Sequence, residues 1–375
     1  MKISAGPVTP RSSRRRGLLL APAGLAMLAG LDAALQLVDV PAPVSAERLP
    51  DVHGMLMVLG FVGTLVCLER AVALGTAWGY LAPALLGAGG LLLLAPVPLT
   101  VGRTALLLGM LAMTLLYVPL WRRQRDDAVL VQALGAVLGA GAAAMWLGDT
   151  DMALLVPWLT GFLVLTIAGE RLELARLAMG PSAGPTLVLL SIGLIAATVA
   201  SLLWPATGYP LLGLALAALT AWLVSHDVAW RTVRRAGLTR FMAASMLAGY
   251  FWLLVAAVTW TLHGAALSGP AYDTVIHATF LGFTISMIMA HAPVILPAVL
   301  RRPLPYRTVL WAPLVLLHVS LALRLWLGDA LGVHLAWQVG GATNVVALLS
   351  FFALSAWSVL TAGRVRSARA EEVAA

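Results

Sequence analysis

The sequence predicts an all-α, polytopic membrane bundle of about twelve transmembrane helices, and three observations predict it. Of the 375 residues, 61% are hydrophobic and 11% charged, against roughly 25% charged in an ordinary soluble domain. The apolar residues gather into runs near 20 residues long, the length that crosses the hydrocarbon of a bilayer. The arginines alternate between the two sides of those runs. Disorder is excluded by the same composition, and a transmembrane barrel by the lack of alternating strands. The net charge of +8 lies in short connections and gives no reason to expect nucleic acid. One cysteine, Cys67, excludes an internal disulfide and a Cys-based zinc site.

In chain order the spans fall near 17–38, 52–75, 78–98, 102–121, 128–148, 152–176, 186–204, 210–230, 240–263, 273–298, 308–327 and 333–361. The first follows Arg14, Arg15 and Arg16. Its apolar run exceeds the core of a secretory signal, so a first membrane anchor is expected. Residues 1–16 and 362–375 then form two tails around a single membrane domain, 17–361. Connections are short, such as Gly148-Asp149-Thr150-Asp151 and Pro205-Ala206-Thr207-Gly208.

With the N-terminus in the cytoplasm, Arg11, Arg122, Arg123, Arg125, Arg171, Arg176, Arg231, Arg234, Arg235, Arg240, Arg301, Arg302, Arg307, Arg364, Arg366 and Arg369 all fall inside, and Arg48, Arg103 and Arg324 outside. The positive-inside rule therefore predicts an inner-membrane protein with both termini cytoplasmic. Trp78, Trp121, Trp204, Tyr209, Trp230 and Trp260 lie near span ends, where interfacial aromatics gather.

A short pattern recurs. Gly60-Phe61 precedes Glu69-Arg70, Gly161-Phe162 precedes Glu170-Arg171, and Gly282-Phe283 precedes His291, each with the glycine nine residues ahead. The three copies lie on the second, sixth and tenth spans. Either a four-helix unit is repeated three times, giving three arcs of four, or the match is chance, since Gly-Phe is common in membrane helices. The two Glu-Arg pairs are expected to snorkel at the inner edge.

Ionisable residues inside a bilayer are costly, so they are functional candidates. Of seven histidines, His53, His263, His277 and His334 fall at one level near the outer face. His226 and His291 lie toward the cytoplasm, and His318 near the middle. Imidazole is a common metal ligand, so His53, His277, His318 and His291 are candidate ligands. His263 and His334 suit the interfacial layer and His226 a solvated helix end. His318 could bond a neighbouring helix, and His291 a carbonyl freed by Pro293 or Pro297. His53 and His277 admit both ligation and an interfacial role. His277 and His291, fourteen residues apart, share a face but are separated by roughly 21 Å, too far to share one metal. Thr284 lies between them on that face. His53, Gly60, Thr64 and Cys67 form a similar stripe on the second span, whose glycine would admit a planar ligand or another helix. Met57, Met110 and Met113 read as packing, and Gly135 with Gly139 as a weak sign of a dimer.

The stretch His53-Gly-Met-Leu-Met-Val-Leu-Gly-Phe61 resembles the His-Ala-His-Glu-Met-Leu-Phe-Gly-Phe stretch of the NnrS family. His277-Ala-Thr-Phe-Leu-Gly282, Met287-Ile288 and Arg302-Pro303-Leu304 resemble later segments of that family. The resemblance implies a haem- and possibly copper-containing membrane protein linked to nitric oxide stress. Met55 and Leu56 replace a histidine and a glutamate of the pattern, and a later glycine-rich signature is missing. These departures remove ligands of a second metal site, with Met55 as an available soft ligand.

The architecture also looks similar to the catalytic subunit of haem-copper oxidases. That likeness implies a low-spin haem b held by His53 and His277, with Arg324 near its propionates. The sixth and seventh spans lack histidine, so the copper partner and oxygen or nitric oxide reduction are not expected. Electron transfer or a nitric oxide or oxygen response remains, and whether the chain is an enzyme is left open. Two rival classes also fit a polar-striped bundle: a transporter or channel for a small solute or ion, and a structural partner of a respiratory complex. Lipid, haem and a redox partner or respiratory subunit are the expected partners.

Overall fold

The computed structural model describes residues 10–300 and 304–374, with side chains described between Gly17 and Thr361 apart from Leu177, Ala298, Leu300 and residues 301–303. Arg11, Arg14, Arg15, Arg16, Arg301, Arg302, Pro303, Arg364, Arg366 and Arg369 therefore lie outside the described side chains. All regular structure among the described residues is helical. Twelve helices are long and apolar enough to cross a membrane: α1 Gly17–Leu37, α2 Arg48–Leu74, α3 Ala77–Leu94, α4 Leu99–Gln124, α5 Asp127–Leu147, α6 Met152–Arg176, α7 Ala183–Leu203, α8 Pro205–His226, α9 Gly237–His263, α10 Gly269–Pro297, α11 Thr308–Ala330 and α12 His334–Thr361. The protein is an all-α polytopic membrane bundle, as the apolar runs require.

Local signals set the helix ends. Asp126 caps α5 by accepting from the Ala128 amide. Pro205 opens α8, where its missing N–H costs nothing. Gly75 stops α2 at φ +75°, a left-handed value open to glycine. Inside the spans, hydroxyls bond back to their own helix, as Thr64 does to the Gly60 carbonyl (2.7 Å).

Successive helices pack against one another, and α12 returns to α1. Second-neighbour contacts recur with a period of four: α1 with α3, α5 with α7 and α9 with α11, together with α2–α4 and α6–α8. The bundle is thus three consecutive four-helix units. Its centre is formed by α2, α6 and α10, in whose most apolar stretches 72%, 78% and 67% of residues are buried. These are the three helices that carry the Gly-Phe pattern. The glycines admit close neighbours: a Cβ on Gly60 would sit 3.4 Å from the Gly90 Cα of α3. Gly60 therefore serves a helix rather than a planar ligand. Gly135 and Gly139 likewise face Phe162 of α6 within the chain, not a second copy.

Three spans leave the α-helical register. Leu56–Gly63 of α2, His277–Ile285 of α10 and Leu323–Ala330 of α11 are π-helical. A residue bonded to its fifth neighbour turns less per step. The face expected to run from His53 through Gly60, Thr64 and Cys67 is therefore broken. His53 borders a cavity, whereas Thr64 and Cys67 are buried in helix contacts.

Candidate functional site

Two cavities occupy the bundle interior, stacked end to end and sharing Val62, Leu163 and Thr284 as lining. The first, about 560 Å³, lies among the ends of α1, α2, α6, α10, α11 and α12 that carry His53. Its volume is in the range of cofactor pockets. Leu31, Val58, Val156, Leu159, Val345 and Leu348 supply apolar walls.

His53, His277 and Arg324 all line this first cavity. His53 Nδ1 lies 2.8 Å from the Gly30 carbonyl of α1. His277 Nδ1 lies 3.0 Å from the Asp273 carbonyl one turn earlier, and 3.0 Å from its carboxylate. A carbonyl oxygen can only accept, so both rings donate from Nδ1, and in the neutral ring Nε2 is then the lone pair. Tying down one imidazole nitrogen in this way orients the other for a ligand.

Asp273 also accepts from Arg324 Nε (2.8 Å) and Nη2 (2.7 Å), a two-pronged pair. Arg324 is 6% exposed and lies over the Trp337 ring at 5.6 Å. It was expected near an outer connection, but it is buried within α11, where the π-helical turn and Gly340 of α12 let the two helices close. Asp329, on the same helix, brings a second carboxyl within hydrogen-bond reach of Asp273 and close to Arg324.

The remaining candidates do not join this site. His318 Nδ1 accepts from the Trp252 indole at 2.9 Å, and its Nε2 lies 3.5 Å from Ser286 Oγ. That leaves no free lone pair, and the metal-ligand expectation for His318 gives way to its helix-bonding alternative. His291 Nδ1 donates to the Met287 carbonyl (2.7 Å), while Nε2 accepts from Arg171 (3.1 Å). Its ring is likewise occupied. Met55 is wholly buried in the core, whereas Met57, expected to be packing, lines the first cavity. His263 and His334 are exposed, and His226 stacks on Trp222 at 4.7 Å.

The second cavity, about 470 Å³, lies toward the other end and is lined by Glu69, Glu170 and His291 among apolar residues. Here the Glu-Arg pairs depart from the expected snorkelling arrangement. Arg70, Glu170 and Arg171 are 7%, 8% and 6% exposed. Arg70 reaches inward to Glu69 (2.6 Å), Glu173 (3.0 Å) and Gln132 (3.0 Å), with Glu170 at 3.9 Å. Arg171 pairs with Asp227 through Nε (2.8 Å) and Nη2 (3.1 Å). Asp227 also accepts from Tyr250 (2.8 Å) and the Ala229 amide (2.9 Å). A cluster of charges held by mutual bonds can stay inside a bundle, and these polar ends meet one another rather than water. The three copies of the repeat thus touch, Arg70 beside Glu170 and Arg171 beside His291.

Sequence reasoning missed Asp273, Asp227 and the Gly30 carbonyl. Asp273 had a signal, an acid one turn before His277. The carbonyl had none.

Two imidazole lone pairs from separate helices border one apolar cavity, and a buried guanidinium stands at its edge. Among the described residues, no group of three or more His, Cys, Asp or Glu is placed to hold a metal ion.

Fold and site together define a class: a twelve-helix membrane bundle with an internal, histidine-bordered cavity. The chain belongs to the family described as a domain of unknown function, DUF8744, whose model matches residues 16–360. No curated protein and no solved structure matches it.

Proposed function

We propose that this protein is a membrane haem protein, similar to the NnrS family, with His53 and His277 as the two axial ligands. One observation carries the reading. Both imidazoles line one cavity, and each has Nδ1 engaged by a carbonyl so that Nε2 remains to bind. Bound haem would supply one-electron chemistry. The chain's own part is to hold and shield it. Gly30 and Asp273 fix the rings, and apolar walls exclude water. Arg324 uses Nε and Nη2 on Asp273 and keeps Nη1 to offset a carboxylate. Such a site suits electron transfer, or a nitric oxide or oxygen response if one ligand is displaced.

The arginine distribution supports a cytoplasmic-membrane protein with both termini inside, which places this cavity toward the outer face. A conducting path is less well supported, because two of the three residues that line both cavities, Val62 and Leu163, are apolar.

The test is a reduced-minus-oxidised visible spectrum of detergent-purified protein. A six-coordinate b-type signal lost in His53→Ala and in His277→Ala is expected. Absence of haem at stoichiometric level rejects the reading.

A further inference from the structure

α8, like α2, runs away from the end of the bundle that holds the first cavity, so the connection from α8 to α9 lies at the opposite end. Its exposed charge is all of one sign. Arg231, Arg234, Arg235 and Arg240 are exposed there, and the sequence has no acid between Asp227 and Asp273. Asp227 is 4% exposed and is taken up by Arg171, Tyr250 and the Ala229 amide. None of the four guanidinium groups has a hydrogen bond or ion pair among the described residues. Other arginines toward that end differ. Arg123 donates to the Leu74 carbonyl (3.0 Å), Arg176 pairs with Asp126 (2.7 Å), and Arg307 donates to Ser358 and Thr361. Arg122 and Arg125 are exposed but stand beside Asp126 and Asp127 in the sequence.

The turn that carries these arginines is fixed in advance. Ala229–Thr232 forms a single helical turn. Asp227 accepts from the Ala229 amide at its start (2.9 Å), and the Thr232 hydroxyl bonds back to the Val228 carbonyl (3.0 Å). Gly237, at φ +63°, turns the chain into α9. Little backbone freedom is left to lose when a ligand docks. Trp230 stands one helical turn past the end of α8 and is 55% exposed. An exposed tryptophan beside a span favours the headgroup layer of a bilayer. The patch therefore sits at headgroup depth, where a nucleic acid or an acidic protein would first have to displace lipid. Guanidinium groups match phosphate oxygens two at a time, and unpaired ones favour such a partner.

We propose that the α8–α9 connection binds the phosphodiester headgroup of an anionic membrane phospholipid, with Arg231, Arg234, Arg235 and Arg240 supplying the charge and Trp230 resting in the headgroup layer. None of these residues lines either cavity, so the proposal stands apart from the haem reading.

The test is native mass spectrometry of the full chain, released from micelles holding equal amounts of phosphatidylglycerol and phosphatidylcholine. Wild type is expected to retain phosphatidylglycerol in preference, and to lose it as ammonium acetate is raised before release, because salt screens exposed charges. Arg231→Gln, Arg234→Gln and Arg235→Gln should each weaken retention about fivefold, through loss of one cation near an anionic surface. The double variant Arg122→Gln, Arg125→Gln, in the α4–α5 connection at the same end, should retain as much as wild type. Each substituted side chain is exposed, and an unreactive Cys67, which is wholly buried, verifies that each variant is folded. Equal retention of the two lipids by wild type, undiminished retention in the three single variants, or an equal loss in the Arg122, Arg125 variant would each overturn the proposal. So would displacement of the lipid by inorganic phosphate or by a short oligonucleotide.

Discussion

Asp273 links His277 and Arg324 at the first cavity, and its removal tests how that site is built. In Asp273→Ala, Arg324 loses hydrogen bonds of 2.8 and 2.7 Å while remaining 6% exposed. Removing one partner of a buried ion pair typically costs about 3–5 kcal/mol, because the other charge stays buried. Replacing both groups by apolar ones removes that penalty. The double variant Asp273→Ala, Arg324→Met should therefore be more stable than Asp273→Ala alone, less whatever the Trp337 contact contributes, about 0.5–2 kcal/mol. The expected coupling is about 2 kcal/mol or more, at the upper part of the range for contacting residues. The chain carries its own reporter: Cys67 is the only cysteine and is wholly buried, so thiol-dye reactivity during denaturation in mixed micelles reads unfolding directly. Haem occupancy offers a second readout. Loss of a carboxylate that orients a ligating histidine typically costs 10–100-fold in affinity, and Arg324→Met with Asp273 intact should cost less. Additive single-variant effects, or an Asp273→Ala protein as stable as wild type, would refute the reasoning.

Further outcomes follow from the other buried groups. Asp227→Ala should destabilise by about 3–5 kcal/mol, since it strands Arg171 at 6% exposure; Tyr250→Phe removes one bond to the same carboxylate and should cost about 1.5–3 kcal/mol. The Cys67 assay measures both. Gly282→Ala places a methyl against the Trp252 ring, which is buried and tied to His318; overpacking of about 1–3 kcal/mol is expected, with a changed tryptophan emission. Single cysteines introduced at Thr207 and Ala236 in a Cys67→Ala background should react with an impermeant maleimide from opposite sides of the membrane, Thr207 from outside.

The spans were legible because a bilayer sets their length and interrupts them with polar turns. The repeat was legible for a related reason. Units that share a fold place the same helix at the centre, and central helices need small residues at close approaches, hence Gly60, Gly161 and Gly282. His53 and His277 could be chosen because an imidazole inside an apolar helix requires a purpose. What escaped notice depended on three-dimensional proximity. Asp227 follows the end of α8 in sequence, yet the fold turns it inward onto Arg171 and Tyr250. Arg70 and Arg171 looked interfacial because their helices end nearby, but their partners lie on other helices. His318 and His291 share candidate ligation with His53 in the sequence, but their neighbours in the fold separate them. An indole on one and a guanidinium on the other occupy the nitrogen that a metal would need.

The π-helical segments complete this account. A regular α-helix repeats its faces every few turns, so one stripe along α2 or α10 would meet the same neighbour throughout. A wider turn resets the stripe. In α2 it begins three residues after His53, and in α10 it begins at His277 itself. Each helix can then offer an imidazole to the cavity at one end and small, tightly packed residues to its neighbours below. In α11 the third such segment contains Arg324, and Gly340 of α12 lies against that backbone. Widened turns leave backbone bonds less regular and are held in place only by the surrounding packing; they occur frequently at functional sites. Here all three fall on helices that border one cavity, and they bring together the two imidazoles and the guanidinium on which its chemistry would depend.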